Sequence, residues 1–203
     1  MWGDYYDNVF LVAGKLCRIR DTLSEFDFTS ALVVYPLFTT TYEPEYLALL
    51  GIETNRVFDS RTTNVTFDQC ILADVGHWFY PNSADVAALR KHVLPQIPPA
   101  TGPRDRIYIS RSNRRCVLNE SEVIDLLKQY NFRVIEDKPC SVAEQVAIYR
   151  NTGFIIGPHG TSFTNILWCQ PGAHLFELFS PTYYPDFFRY LATLLGLGYS
   201  AYF

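Results

Sequence analysis

The residues best suited to chemistry gather around one turn. Phe154, Ile155 and Ile156 form an apolar run that stops at Gly157. Pro158, His159, Gly160 and Thr161 follow as a small-residue turn. An apolar pattern resumes at Phe163, with Ile166 and Leu167 at helical spacing. This order predicts a buried strand, a tight loop and the first turn of a helix. Free N–H groups and the dipole at a helix start favour an anion, and small residues let a ligand come close. Phosphate is the anion that alternating β/α chains most often hold in this way. The turn is neither a P-loop sequence nor a GxGxxG fingerprint.

Other polar groups fall at matching places. Arg111, Arg114 and Arg115 follow a predicted strand, where guanidinium groups can clamp a diphosphate in bidentate fashion; the alternative is a solvated basic loop. His159 can donate to a phosphate oxygen or act as an acid toward a leaving group, or it can be a structural loop residue. Gly157 and Gly160 beside it suit a backbone that must approach something closely. Asn165, one turn into the helix, suits either the ligand or bracing of the loop. Glu177 closes another predicted strand, a position at which a carboxylate can accept the paired hydroxyls of a ribose; a surface glutamate on an edge is the alternative. Glu144 is explained by helix capping alone, whereas Gln145 has no evident structural task. No Asp-x-Asp pair is present to hold a divalent metal on a diphosphate.

The elements that position these residues differ between the two halves. In the first half, residues 4–23 have a helical rhythm through Phe10, Ala13, Leu16, Cys17 and Arg20. Residues 31–35 make a short strand, residues 44–50 a helix ended by Gly51, and residues 56–58 and 70–72 further short strands. A helix over residues 83–94 starts at Ser83 as N-cap. Pro95, Pro98, Pro99, Gly102 and Pro103 then mark a linker. The second half alternates regularly. Strands are expected at 107–110, 132–135, 154–157, 174–179 and 199–202, and helices at 120–130, 142–150, from 162, and at 185–195. Asn119 with Glu122 and Ser141 with Glu144 have capping-box spacing. Such alternation predicts an α/β fold with a parallel sheet covered on both faces, whose ligands sit at the carboxyl ends of strands. The expected domains are residues 1–97 and 105–203, joined by a linker at 98–104.

Composition sets outer bounds. A chain of 203 residues, 48% of them apolar, can bury one large or two small cores. A formal net charge of −4 argues against a nucleic-acid surface. No run is long enough to cross a bilayer, and no signal-like start is visible; the aromatic opening from Trp2 to Phe10 suggests a truncated N-terminus. The five cysteines (Cys17, Cys70, Cys116, Cys140 and Cys169) lack metal spacing and read as buried free thiols. Asn64 and Asn119 each begin a glycosylation sequon.

In combination, the pieces resemble glycosyltransferase family 61. They are Ile107 to Arg111, Arg115 through Leu118, Asn119 and Glu120, then Glu144 and Gln145, the Gly157-Pro158-His159-Gly160 turn with Thr164 and Asn165, and Glu177. Thr161 and Phe163 depart mildly from the family pattern. In the first half, residues 4–8 resemble an aromatic segment opening a helix, with Asp7 where the family has histidine. The resemblance implies a GT-B-like fold of two Rossmann-like halves, the donor nucleotide being held by the C-terminal one. It implies inverting transfer of a sugar from a nucleotide donor, here taken as UDP-linked, to a hydroxyl of a glycan or glycoprotein, without a metal or other cofactor. Arg111, Arg115, Gly157, His159, Gly160, Thr161, Asn165 and Glu177 would bind the donor. Asp7, His77 and His159 are the candidate catalytic groups, and Asp7 and His77 are not separable as the base. The location implied is the lumen of the endoplasmic reticulum or Golgi for eukaryotic members, and the cytoplasm or membrane surface for bacterial ones. A catalytically inactive nucleotide- or glycan-binding member is the alternative. A Rossmann-type oxidoreductase is a weaker one, since no GxGxxG follows the first regular strand.

Overall fold

A computed structural model describes residues 4–73, 76–99, 101–112, 115–136 and 138–203. The chain divides into two compact units, Met1–Gln96 and Ile97–Phe203; each is considered by itself.

In the first unit, Asp4 caps α1 (Tyr5–Asp7) by accepting from the Asp7 N–H at 3.2 Å. The helix widens into a π-helical stretch (Asn8–Ala13) and continues as α2 (Gly14–Thr22). The helix expected over residues 4–23 is therefore present, with looser turns in its middle. A short α3 (Glu25–Ser30), capped by Ser24, was not visible in the periodicity. Strand β1 (Val33–Tyr35) precedes α4 (Tyr42–Leu49), and β2 (Val57–Asp59) pairs with β1 in parallel. Gly51, at φ +70°, takes the left-handed position just past α4. Arg20 Nη1 donates to the terminal Leu50 carbonyl at 2.7 Å. The last helix, α5 (Ser83–Val93), packs on α2, burying Val9, Ala13 and Cys17 together with Val86, Leu89 and Val93. Asn82, not Ser83, is its N-cap: the Asn82 side-chain Oδ1 accepts from the Ala84 N–H at 2.8 Å. The strand expected at residues 70–72 is absent. Cys70 to Leu72 are exposed and unpaired in any ladder, a three-residue apolar run being too short to specify a strand.

The second unit consists of β3 (Asp105–Ser110), α6 (Glu120–Lys128), β4 (Phe132–Glu136), α7 (Val142–Arg150), β5 (Thr152–Pro158), a 3₁₀ helix (Thr161–Trp168), β6 (His174–Leu178), α8 (Phe187–Leu194) and β7 (Gly198–Tyr202). The strands form one parallel sheet in the order β4-β3-β5-β6-β7. From β3 the chain steps one way to β4, then returns and proceeds the other way through β5. With right-handed crossovers, that reversal sends α6 to one face and the later helices to the other. Accordingly α7 and α8 both pack on the 3₁₀ helix, while α6 packs on β3 and β4. Ile107, Ile155 and Leu175, aligned on one face of the sheet, are buried, as are Val142, Val146, Ile166, Trp168 and Leu191 of the helices; Tyr108, on the other face, is buried against the start of α6. Ser141 and Glu144 complete the capping box of α7, whereas Asn119 makes no side-chain cap to α6 and its amide instead donates to Glu122. Between residues 98 and 104 the described residues form neither helix nor strand. Among the described residues, no helix is long and apolar enough to cross a membrane.

The cysteines correct the expectation of uniform burial. All are free; Cys17 and Cys169 are buried, but Cys70, Cys116 and Cys140 are exposed. Burial pushes the Cys17 thiol up to about 12, with the Asp21 carboxylate adding to the effect. A thiol reagent should therefore titrate three cysteines quickly in the native chain and all five after unfolding in guanidinium. Rapid native reaction of all five would mean that the α2–α5 core is not closed around Cys17.

Candidate functional site

Arg111 and His159 leave the sheet side by side. Arg111 follows β3 and His159 follows β5, and these are the neighbouring strands between which the chain order reverses. In open α/β sheets the crevice outside the carboxyl ends at that reversal is where ligands bind. Arg111 Nη1 donates to the His159 carbonyl at 2.9 Å, tying the two loops together. The Arg111 N–H donates to Glu120 Oε1 at 3.3 Å, and the same oxygen accepts from the Tyr108 hydroxyl at 2.9 Å. Burial and that carboxylate push the Tyr108 phenol well above its usual value.

The two glycines of the turn serve the close approaches that their spacing suggested. A Cβ on Gly157 would lie 2.9 Å from the Ile109 carbonyl oxygen and 3.2 Å from the Phe163 ring. A Cβ on Gly160 would stand 1.8 Å from Arg111 Nη1. Gly160 has φ 179°, an extended backbone open to any residue. Its restriction is thus a matter of room for the guanidinium and not of backbone strain. Thr161 begins the helix, which is 3₁₀ where an ordinary helix was expected, and Phe163 N–H already donates to the Gly160 carbonyl at 3.0 Å.

His159 is buried, at 4% exposure. Its N–H donates to the Leu178 carbonyl at 2.8 Å, extending the β5–β6 ladder by one residue. Its ring is enclosed by Phe179, Tyr183, Phe187 and Phe188. Nδ1 lies 2.5 Å from Glu177 Oε1. The other Glu177 oxygen accepts from the Tyr199 hydroxyl at 2.7 Å. Glu177 is fully buried, at 0% exposure, on an interior strand. Its oxygens face His159 and Tyr199 inside the sheet, so Glu177 is not a surface glutamate on an edge. The available signal was the strand period, which puts Glu177 on the same face as buried Leu175.

Asn165 is likewise turned inward. Its amide nitrogen donates to Gln145 Oε1 at 2.7 Å and its oxygen accepts from Trp168 Nε1 at 3.2 Å. It braces the turn against α7, the second of the two roles its position suits, and gives Gln145 its task. Arg115 adopts φ +63°, and its guanidinium lies over the Tyr183 ring at 5.0 Å, so Tyr183 stands between Arg115 and His159. Arg115 Nε is buried and has no partner among the described residues. Arg114 lies outside the described residues. Tyr199, Tyr183 and Glu120 were missed as site residues because their partners are distant in sequence or, for Glu120, hidden in a helix start.

In the first unit, Asp7 is buried and accepts from Trp78 Nε1 at 3.1 Å, while the Tyr6 hydroxyl donates to the Phe79 carbonyl at 2.8 Å. These contacts pin residues 77–80 to the helix start. His77 is exposed; its Nδ1 accepts from the Phe79 N–H at 3.1 Å. Among the described residues, no group of three or more His, Cys, Asp or Glu side chains is placed to hold a metal ion.

The two glycines lead to distinct outcomes. Gly157→Ala forces a methyl against backbone and should destabilise by about 1–3 kcal/mol. Gly160→Ala should cost less, because a long side chain can swing away, but it should displace Arg111 from the turn. Urea unfolding of both variants checks the order; equal losses would contradict it.

The sequence pattern of the Glycosyltransferase 61 family matches residues 19–176. The chain is 32% identical over 117 residues to the EGF domain-specific O-linked N-acetylglucosamine transferase of Drosophila melanogaster, covering 55% of this chain and 22% of that protein. The proteins of the same name from Rattus norvegicus and Mus musculus are each 32% identical over 110 residues, 49% of this chain and 21% of theirs. The chain thus spans about a fifth of the length of these curated relatives. With the match running through both units and across the His159 turn, the chain belongs to the glycosyltransferase 61 family.

Proposed function

We propose that the chain carries the donor site of a glycosyltransferase, which moves a sugar from a nucleotide-linked donor to a hydroxyl of a glycan or glycoprotein. The observation that carries this reading is the pairing of Arg111 with His159 where the strand order of the sheet reverses. Family membership and relatives named as N-acetylglucosamine transferases support it. A UDP-linked N-acetylhexosamine is the donor these names suggest.

The reaction is a displacement at the anomeric carbon with inversion. The acceptor oxygen forms its bond to that carbon as the bond to the diphosphate oxygen breaks. The departing diphosphate takes the electron pair, and a base takes the acceptor proton. Negative charge grows on the diphosphate, so fixed cationic and N–H donors there lower the barrier most. Arg111, Arg115 and His159, with the backbone of Gly160 and Thr161, are assigned to that charge; no metal is required for it. Asp7 and His77 are the first unit's candidates for the base. His77 is favoured because its ring is exposed, whereas Asp7 is enclosed with the Trp78 indole. That enclosure is also what favours the second reading, a member that binds donor without transferring it.

UDP in the presence of EDTA should raise the melting temperature. At a concentration about a hundred times the dissociation constant, the added stability is roughly 2.7 kcal/mol. No shift with UDP, GDP or CDP on a folded sample would mean that the donor site is misplaced. In the active reading, Arg111→Ala should retain the fold and lose about 2–4 kcal/mol of transition-state stabilisation. Radiolabelled UDP-N-acetylglucosamine gives the measurement: binding without transfer or hydrolysis selects the non-catalytic reading.

A further inference from the structure

We infer that Glu177 and Tyr199 are positioning residues that hold the His159 ring with its proton on Nδ1 and its Nε2 toward the bound diphosphate. The inference rests on the donor-site reading above for the ligand, but not for the proton. His159 is held at three of its polar atoms. Its N–H donates to the Leu178 carbonyl, its C=O accepts from Arg111, and Nδ1 meets Glu177. Nε2 is the fourth, and it has no partner among the described residues.

The direction of the proton follows from the far end of the chain of contacts. Tyr199 is on β7 and Glu177 on the adjacent β6. Burial and the carboxylate push the Tyr199 phenol well above its ordinary value, so it keeps its proton and donates to Glu177 Oε2. Glu177 is fully buried, and a carboxylate there is acceptor-only, so with Oε2 taken by Tyr199 it meets its other neighbour by accepting through Oε1. A neutral imidazole meets it with Nδ1–H and leaves Nε2 as the lone-pair atom; an imidazolium meets it in the same way and offers Nε2–H to an anion. In both charge states the ring cannot turn over, because turning would present carbon to the carboxylate. The aromatic walls of Phe179 and Phe188 restrict tilting. A buried carboxylate with two donors is an arrangement that fixes the tautomer of a histidine, as second partners do for ring nitrogens elsewhere.

Nitrogen-15 NMR of histidine-labelled chain at about pH 8 reads this directly, since free imidazole is neutral there. The His159 signals are identified by their loss in His159→Gln. In the wild type, Nδ1 should show the protonated shift. In Glu177→Gln the Tyr199 hydroxyl keeps the amide oxygen, the amide NH₂ turns to Nδ1, and the proton should move to Nε2. Tyr199→Phe should leave Nδ1 protonated, and the double variant, whose amide is free to rotate, should lose the inversion. A bare Nδ1 in the wild type overturns the inference without reference to any variant, as does an unchanged tautomer in a folded Glu177→Gln. Adding UDP should move the Nε2 signal and retain the Nδ1 proton. If UDP stabilises the chain yet leaves Nε2 unmoved, the ring does not face the diphosphate and the inference fails. If UDP has no effect at all while the tautomer pattern holds, the donor-site reading fails and the positioning of the ring stands.

Discussion

The second unit is organised around a carboxylate that water cannot reach. A carboxyl group at full burial is costly unless each of its oxygens finds a hydrogen-bond partner. Glu177 meets that condition with side chains from the two neighbouring strands, His159 just after β5 and Tyr199 near the start of β7. The requirement therefore fixes how three parallel strands are aligned. Sliding β6 by one residue would turn Glu177 to the opposite face and leave both partners unmet. The ladder bond from His159 N–H to the Leu178 carbonyl holds the same alignment from the backbone. Packing around the turn then does the rest: Phe163, Ile166, Leu167 and Trp168 are fully enclosed, so the loop that carries His159 stands on a rigid base.

The alternation of strands and helices in the second unit was legible because its signals are local. The capping box of α7 lies within four residues, and apolar runs of β3 and β5 are bounded by their own turn residues. The same locality explains the gaps. The contacts of Glu177 and Asn165 are not legible locally because their partners, Tyr199 and Gln145, are about twenty residues away and join them only in the folded unit. The period-2 pattern of β6 held the clue for Glu177, but one polar residue at a strand end does not declare which side it faces. Asn82 took the cap expected of Ser83 because both residue types cap well and a one-residue shift is invisible to propensity. The π-helical widening after Asp7 keeps the apolar spacing of an ordinary helix over so short a run.

The first unit shows a different economy. Its sheet has two short strands, and its stability comes from helix packing and from charged groups tied across distant segments. Asp85, nearly buried, takes Lys15 at 2.5 Å and Arg18 at 3.3 Å. Glu43 accepts from the Tyr35 hydroxyl and from the N–H groups of Phe38 and Thr39, which organises the loop ahead of α4. Asp7 and Tyr6 do the same for residues 77–80. Asp85 thus ties α5 to α2, while Glu43 and Asp7 each gather an irregular segment onto a helix; among the described residues the contacts of the exposed His77 are with its neighbours Phe79 and Tyr80.

The crowding between Gly160 and Arg111 has a consequence for how the family varies. A Cβ at the first position and a guanidinium at the second claim the same space. The two sites should therefore drift together: homologues that put alanine or serine at the glycine should carry a shorter or redirected side chain at the arginine. Such paired exchange would leave a covariation signal between residues 49 apart in sequence, and a lineage that made it would have rebuilt this corner of the site with a different cation.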